Sequence, residues 1–167
     1  FAKYQIDSIL PPSQYVQILA EEIQYRKGLV PSRHLTSIAF GGGTPSLLQV
    51  KDFEFLLQTL IREGFDIDDK TELSLEINPG TLNESAVRSL IDLGFRRFSV
   101  GAQSFSEAML RVGGRKHSVQ DTRQTLEMLK RFNVSLSLDL LFAMPQQSLD
   151  MLAQDLDSAL AYQPDHM

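Results

Sequence analysis

The 167 residues contain no cysteine. Disulfides and thiolate metal sites are therefore excluded within them. An excess of positive charge is also lacking, because 16 lysines and arginines stand against 21 acids and leave a formal net charge of −5. Binding a phosphate backbone or an anionic lipid surface needs a concentrated positive field, so neither nucleic acid nor such a membrane is expected as a partner. The nearest basic cluster, Arg111 to Lys116, is short. No apolar run reaches the ~18 residues of a bilayer span, and Phe1 does not open the basic, then apolar, pattern of a signal segment. These absences predict a cytoplasmic protein with no membrane span. No low-complexity segment and no interdomain linker interrupts the chain. A hydrophobic content of 43% with 22% charged residues is that of one folded domain with a substantial core. The chain opens on Phe1 and not on methionine, and is expected to be a piece of something longer.

Helical and strand-like patterns alternate along it. In "SQYVQILAEEIQYRKG" Tyr15, Ile18, Leu19 and Ile23 recur at helical spacing, with Gly28 as a stop. The run "TSIAF" reads as a strand, followed by a glycine loop and the helical pattern "LLQVKDFEFLLQTLIREG". "TELSLEI" is a second strand, ended by "NPG". Asn83 caps a helix with Val87, Leu90 and Ile91 on one face and Gly94 at its end. "RRFSVGAQ" is a third strand, "SFSEAML" a helical turn, and "SVQDTRQTLEMLKRF" a helix with a capping box at Ser118 and Asp121. "NVSLSLDLLF" is the fourth strand, and residues 148–162 form the last helix. Four such alternations predict an α/β protein with a parallel sheet.

Each strand alternates bulky apolar residues with small or polar ones. Ile38 and Phe40 alternate with Ser37, Ala39 and Gly41, and Leu73, Leu75 and Ile77 with Ser74 and Glu76. Phe98, Val100 and Ala102 alternate with Ser99, Gly101 and Gln103, and Leu136, Leu138 and Leu140 with Ser135, Ser137 and Asp139. Successive side chains point to opposite faces. An antiparallel sheet with one wet face would show the same alternation; the intervening helices favour a parallel sheet whose polar faces share one open space. Glu76, Gln103, Asp139 and the glycine loop fall at the carboxyl ends of their strands, the edge at which parallel α/β sheets and barrels bind ligands. "GGGTPS" lacks the Lys-Ser/Thr ending of a P-loop, and Ser46 stands where a dinucleotide fingerprint needs its third glycine. The glycines then serve either a plain turn or the close approach of backbone to a ligand.

The stretch "FGGGTPSLL" resembles the glycine-rich motif of the radical S-adenosylmethionine (SAM) enzymes, as found in the oxygen-independent coproporphyrinogen III oxidases and the HemW-type haem chaperones. "LEINPGTL", "VGAQSFSEAMLRVGGRKHS" and "SLDLLFAMPQQS" come after it in that family's order, and "PDHM" resembles the start of its next motif. "QSF" with "GRKH" is nearer to the chaperone branch. Ala102, Ala143, Met144 and Ser148 depart mildly from the usual Val, Gly, Leu and Thr, which bears on loop shape. The resemblance implies a partial (β/α) barrel, with residues 1–167 as a partial radical SAM core. It implies that Gly42, Gly43 and Thr44 contact the methionyl part of SAM, and that Glu76 meets its methionyl and ribose groups. Gln103, Arg115 and Asp139 match further cofactor-contacting positions. Against these stand plainer readings: Glu76 and Asp139 as solvated strand ends, Arg115 as a surface charge, and Gln103 as a core amide. Phe105, Phe142 and Met144 are read as core side chains.

The family's [4Fe-4S] cluster is held by three cysteines of a CxxxCxxC motif, with SAM on the fourth iron. No such ligand occurs here, and "FAKY" resembles the residues directly after that motif. These residues alone are expected not to cleave SAM. His34, His117 and His166 have no metal-ligand spacing, so haem ligation by any of them is not expected. Three functions are compatible with this reading. One is a HemW-type chaperone that carries SAM and a cluster and passes haem to an acceptor protein. Another is a coproporphyrinogen III oxidase, in which a 5′-deoxyadenosyl radical initiates decarboxylation of propionate side chains. The third is an α/β domain binding some other small polar ligand.

Overall fold

The computed structural model describes residues 10–167, so the "FAKY" segment lies outside the described residues. The chain forms two compact units, one of residues up to Ser37 with Leu48–Thr71, the other of Ile38–Leu47 with Glu72–Met167. In the first unit helix α1 (Pro12–Arg26) packs on helix α2 (Val50–Arg62). Proline at the start of α1 is pre-set for helical φ and gives up only an N–H that would be unbonded there. The buried side chains of α1 are Val16 and Ala20, while Tyr15 and Ile18 are exposed. The expected apolar face is therefore corrected in part: Val16 and Ala20 turn inward in place of Tyr15 and Ile18, while Leu19 and Ile23 are half-buried. Gly28 does not end the helix in a left-handed turn; it lies inside a short 3-10 turn, Lys27–Leu29. Helix α2 starts at Val50, where Gln49 and Asp52 form a capping box, later than the apolar pattern suggested.

The second unit is built on strands β1 (Ser37–Phe40), β2 (Glu72–Ile77), β3 (Phe95–Gln103) and β4 (Ser135–Leu140). They lie in the order β1-β2-β3-β4, and β2–β3 and β3–β4 pair parallel. Each connection advances by one strand in the same direction, the winding of a barrel and not of a sheet that reverses midway. The sheet stays open, so the architecture is that of a partial barrel. Helix α3 (Glu84–Asp92) joins β2 to β3; α4 (Glu107–Val112) and α5 (Val119–Leu129) join β3 to β4; α6 (Leu149–Leu160) comes after β4. Asn83, Ser118 and Ser148 cap α3, α5 and α6 by accepting from backbone N–H groups of the first turn.

Strand periodicity sorts the two faces. Leu75, Phe98 and Leu136 form one row across three strands, Ile77, Val100 and Leu138 the next, and all six are buried. Helices α3 and α5 pack on β3, and Val87, Leu90, Leu126 and Leu129 are fully buried. Each such side chain contributes roughly 1.5–3 kcal/mol by leaving water. Between those rows Glu76, Ser99 and Ser137 stand opposite one another on the other face. At the free edge of β4, Ser137 makes a parallel bridge with His166, and Leu138 N–H donates to the His166 carbonyl at 3.0 Å. The "PDHM" segment thus adds a strand-like pairing to the sheet. Among the described residues no helix is long and apolar enough to cross a membrane, and no cluster of three metal-ligating side chains occurs.

Candidate functional site

The turn after β1 brings bare backbone against a carboxylate. Gly42 and Gly43 adopt φ of +75° and +56°, the left-handed region that side chains disfavour. Gly42 N–H donates to Glu76 Oε2 at 3.1 Å. A Cβ on Gly41 would stand 2.8 Å from Glu76 Oε1, so this glycine is required for the carboxylate to reach the turn. At Gly43 a Cβ would meet nothing within 4 Å, which leaves the outer side of the turn open.

One residue beyond β2, Asn78 connects this turn to Arg115. Its Nδ2 donates to Thr44 Oγ1 at 3.0 Å, and its Oδ1 accepts from Arg115 Nη2 at 2.7 Å. Its backbone N–H donates to Ser46 Oγ at 3.2 Å, and Thr81 Oγ1 donates to its carbonyl at 2.6 Å. Asn78 is therefore held at both ends. Arg115 is half-buried, and burial pushes its pKa below the ordinary arginine value. Among the described residues no carboxylate lies within 4.0 Å of it.

The end of β3 is distorted. Its register with β4 shifts between Val100 and Gln103, and Gln103 takes φ +67°, a conformation costing on the order of 1–3 kcal/mol for a residue with a side chain. Asp155 of α6 holds the next residues of the chain: Ser104 Oγ donates to its Oδ2 at 2.7 Å and Phe105 N–H to its Oδ1 at 2.6 Å. The twist brings Gln103 back beside Gly101, where a Cβ would stand 2.8 Å from Gln103 Nε2, 3.5 Å from Arg115 Nη2 and 3.6 Å from Asn78 Oδ1. Gly101 thus makes room for three polar groups. Asp139 is exposed and accepts from Ser99 Oγ at 3.2 Å, and Ser99 is the register partner of Glu76.

All seven residues singled out from the sequence fall into this arrangement. Gly42 bonds Glu76 at the turn that Gly43 continues; Thr44 and Arg115 are linked through Asn78; Gln103 and Arg115 both approach Gly101; and Asp139 joins the Glu76 row through Ser99. Asn78, Ser99, Gly101 and Asp155 were not singled out as site residues from the sequence. Asn78 looked like the first residue of a turn, and nothing short of its three-dimensional partners separates that role from a site role. Gly101 and Ser99 lay on the small face already marked, which was the available signal. Phe142, read as core, is 75% exposed and is corrected here: the β4–α6 loop carries left-handed residues at Ala143 and Gln146, and the chain leaves the packed sheet there. Phe105 stacks on Tyr162 with centroids 6.2 Å apart, and Met144 is half-buried.

Two acids with no basic partner and one guanidinium with no acidic partner therefore share one face of the sheet among the described residues. Such a face suits a ligand bearing both signs of charge.

Comparison with known proteins agrees with this architecture. The haem chaperone HemW of Haemophilus influenzae is 32% identical over 172 aligned residues, covering 100% of this chain and 45% of that protein. The oxygen-independent coproporphyrinogen III oxidase of Paracoccus denitrificans is 29% identical, covering 90% of this chain and 33% of the other. The solved structure of coproporphyrinogen III oxidase (HemN) from Escherichia coli superposes with a TM-score of 0.81 at 28% identity, over 92% of this chain and 36% of that one. The chain thus spans less than half the length of each of these relatives. The radical SAM superfamily model matches residues 10–159, nearly the whole chain. By that match, and by the parallel sheet with its glycine turn, this chain belongs to the radical SAM superfamily.

Proposed function

We propose that the polar face binds S-adenosylmethionine and that the chain is the SAM-binding part of a haem-handling protein of the HemW type. The observation that carries this is charge pairing left open among the described residues: a half-buried Arg115 without an acid within 4.0 Å, and Glu76 and Asp139 without a base. SAM carries a carboxylate, an ammonium and a sulfonium, so it complements such a set. Arg115 and Thr44 hold the carboxylate. Glu76 takes the ammonium or a ribose hydroxyl, Gly42 and Gly43 admit the methionyl chain against bare backbone, and Gln103 and Asp139 face the ribose and sulfonium side. With a [4Fe-4S] cluster, SAM supplies one-electron cleavage chemistry. The cluster's thiolates are not among these residues, which contain no cysteine. Within this reading residues 1–167 are a partial radical SAM core.

Alignment of the whole of this chain with HemW chaperones at 30–32% identity supports haem as the cargo, passed to an acceptor protein in the cytoplasm. The structural likeness to HemN favours a second reading, oxidation of coproporphyrinogen III. Titration calorimetry with SAM tests the site. Glu76→Ala and Asp139→Ala should each weaken binding by about 10–100-fold, the range expected when a charged hydrogen-bonding partner is removed. Unchanged affinity in both would transfer the face to some other polar ligand. A Soret shift on haem addition to the intact protein, without porphyrinogen decarboxylation, is expected of the chaperone; decarboxylation without a Soret shift would select the oxidase.

A further inference from the structure

We infer that Asn78 sets the hydrogen-bond polarity of the site, turning Thr44 and Arg115 into a pair of donors selective for a carboxylate; this rests on the SAM reading above. The orientation of the Asn78 amide is dictated by chemistry. Arginine has no acceptor, so the atom that meets Arg115 Nη2 at 2.7 Å must be the oxygen. The nitrogen is then left facing Thr44 Oγ1 at 3.0 Å and must donate to it. A hydroxyl that accepts from Asn78 keeps its own proton for another acceptor. Arg115 commits one N–H to Asn78 and retains the rest of its fork.

The backbone of Asn78 is anchored as well. Ser46 Oγ accepts from its backbone N–H, and Thr81 engages its carbonyl through both Oγ1 at 2.6 Å and N–H at 3.2 Å. Gly101 keeps open the corner next to Oδ1. Two loops from different parts of the chain thus bring a free hydroxyl proton and free guanidinium N–H groups to the two ends of one amide, and a carboxylate, with two acceptor oxygens, matches such a pair of donors. An ammonium in the same place, which has no acceptor, would leave both donors unmet.

Replacing Asn78 by aspartate reverses this polarity with almost no change of shape. The new carboxylate accepts the Thr44 proton and neutralises Arg115, so both donors are consumed internally. The test uses two adenosyl thioethers, S-adenosylhomocysteine, which carries the aminocarboxylate, and 5′-methylthioadenosine, which lacks it. Asn78→Asp should lower affinity for the first by about 30-fold or more and leave the second within about twofold. Asn78→Ala, which removes the anchor without adding charge, should weaken S-adenosylhomocysteine by a smaller factor and again spare methylthioadenosine. Thermal unfolding of both variants reports on the fold independently. Equal losses for the two ligands, or undiminished preference for S-adenosylhomocysteine in Asn78→Asp, would overturn the inference while leaving SAM binding intact. A wild-type chain that binds neither nucleoside would overturn the cofactor reading and this inference with it.

Discussion

Removal of the Asp155 carboxylate isolates the clamp behind the site. Asp155 lies within α6 and is 2% exposed, yet it is no partner in an ion pair among the described residues. Its two oxygens accept from Ser104 Oγ at 2.7 Å and Phe105 N–H at 2.6 Å, while Ser104 Oγ also accepts from Ser106 N–H at 3.0 Å. Hydrogen bonds to a charged acceptor are worth about 1.5–3 kcal/mol each, and truncation leaves the donors without partners. Alanine recovers part of this by removing a buried charge and by its better helix propensity, about 0.5–1 kcal/mol from propensity alone. Asp155→Ala should therefore cost about 3 kcal/mol, or roughly 6–12 °C in Tm for a chain of this size. Asp155→Asn keeps one acceptor but turns an N–H toward a donor, and should cost about half as much. Urea unfolding monitored by circular dichroism measures both. An alanine variant within about 1 kcal/mol of wild type, or an asparagine variant as unstable as alanine, would refute the clamp. The same loss should weaken SAM binding, because the segment that Asp155 holds begins one residue after Gln103.

Two further substitutions separate site geometry from stability. Gly101→Ala would place a Cβ 2.8 Å from Gln103 Nε2, a flexible side-chain end that can retreat, so stability should change by less than about 1 kcal/mol while SAM affinity drops about tenfold; unaltered calorimetric affinity would count against the crowding of Gln103, Arg115 and Asn78 at this point. His117 is half-buried with Nε2 at 3.2 Å from the Ala102 carbonyl, and burial holds its pKa below 6.5 against the raising influence of that carbonyl, with the nearby Arg115 charge adding to the lowering and Asp121 and Glu107 opposing it. The unfolded chain then takes up this proton first, so the contribution of neutral His117 is complete above pH 6.5 and is lost as pH falls through its folded pKa. His117→Gln should flatten the fall in urea midpoint below pH 6.5, and a steeper fall would contradict the assignment.

Local patterning alone was enough for the strands, the helices and the face that carries the candidate site. A period of two places Leu75, Phe98 and Leu138 on one side and Glu76, Ser99 and Asp139 on the other whatever the neighbours do, and Asn83, Ser118 and Ser148 start their helices through bonds made within one turn. Those interactions span few residues, so they are written in adjacent letters. The α1 face and Phe142 show where this stops, since whether an apolar side chain is covered depends on which element arrives against it. Pairing across the fold was decided by tertiary structure only. Asn78 reaches a threonine 34 positions earlier and an arginine 37 positions later, and Asp155 reaches Ser104 across 51. Such contacts exist because the parallel crossovers return each strand end to one edge, and no spacing along the chain encodes the direction in which a hydroxyl or an amide then donates.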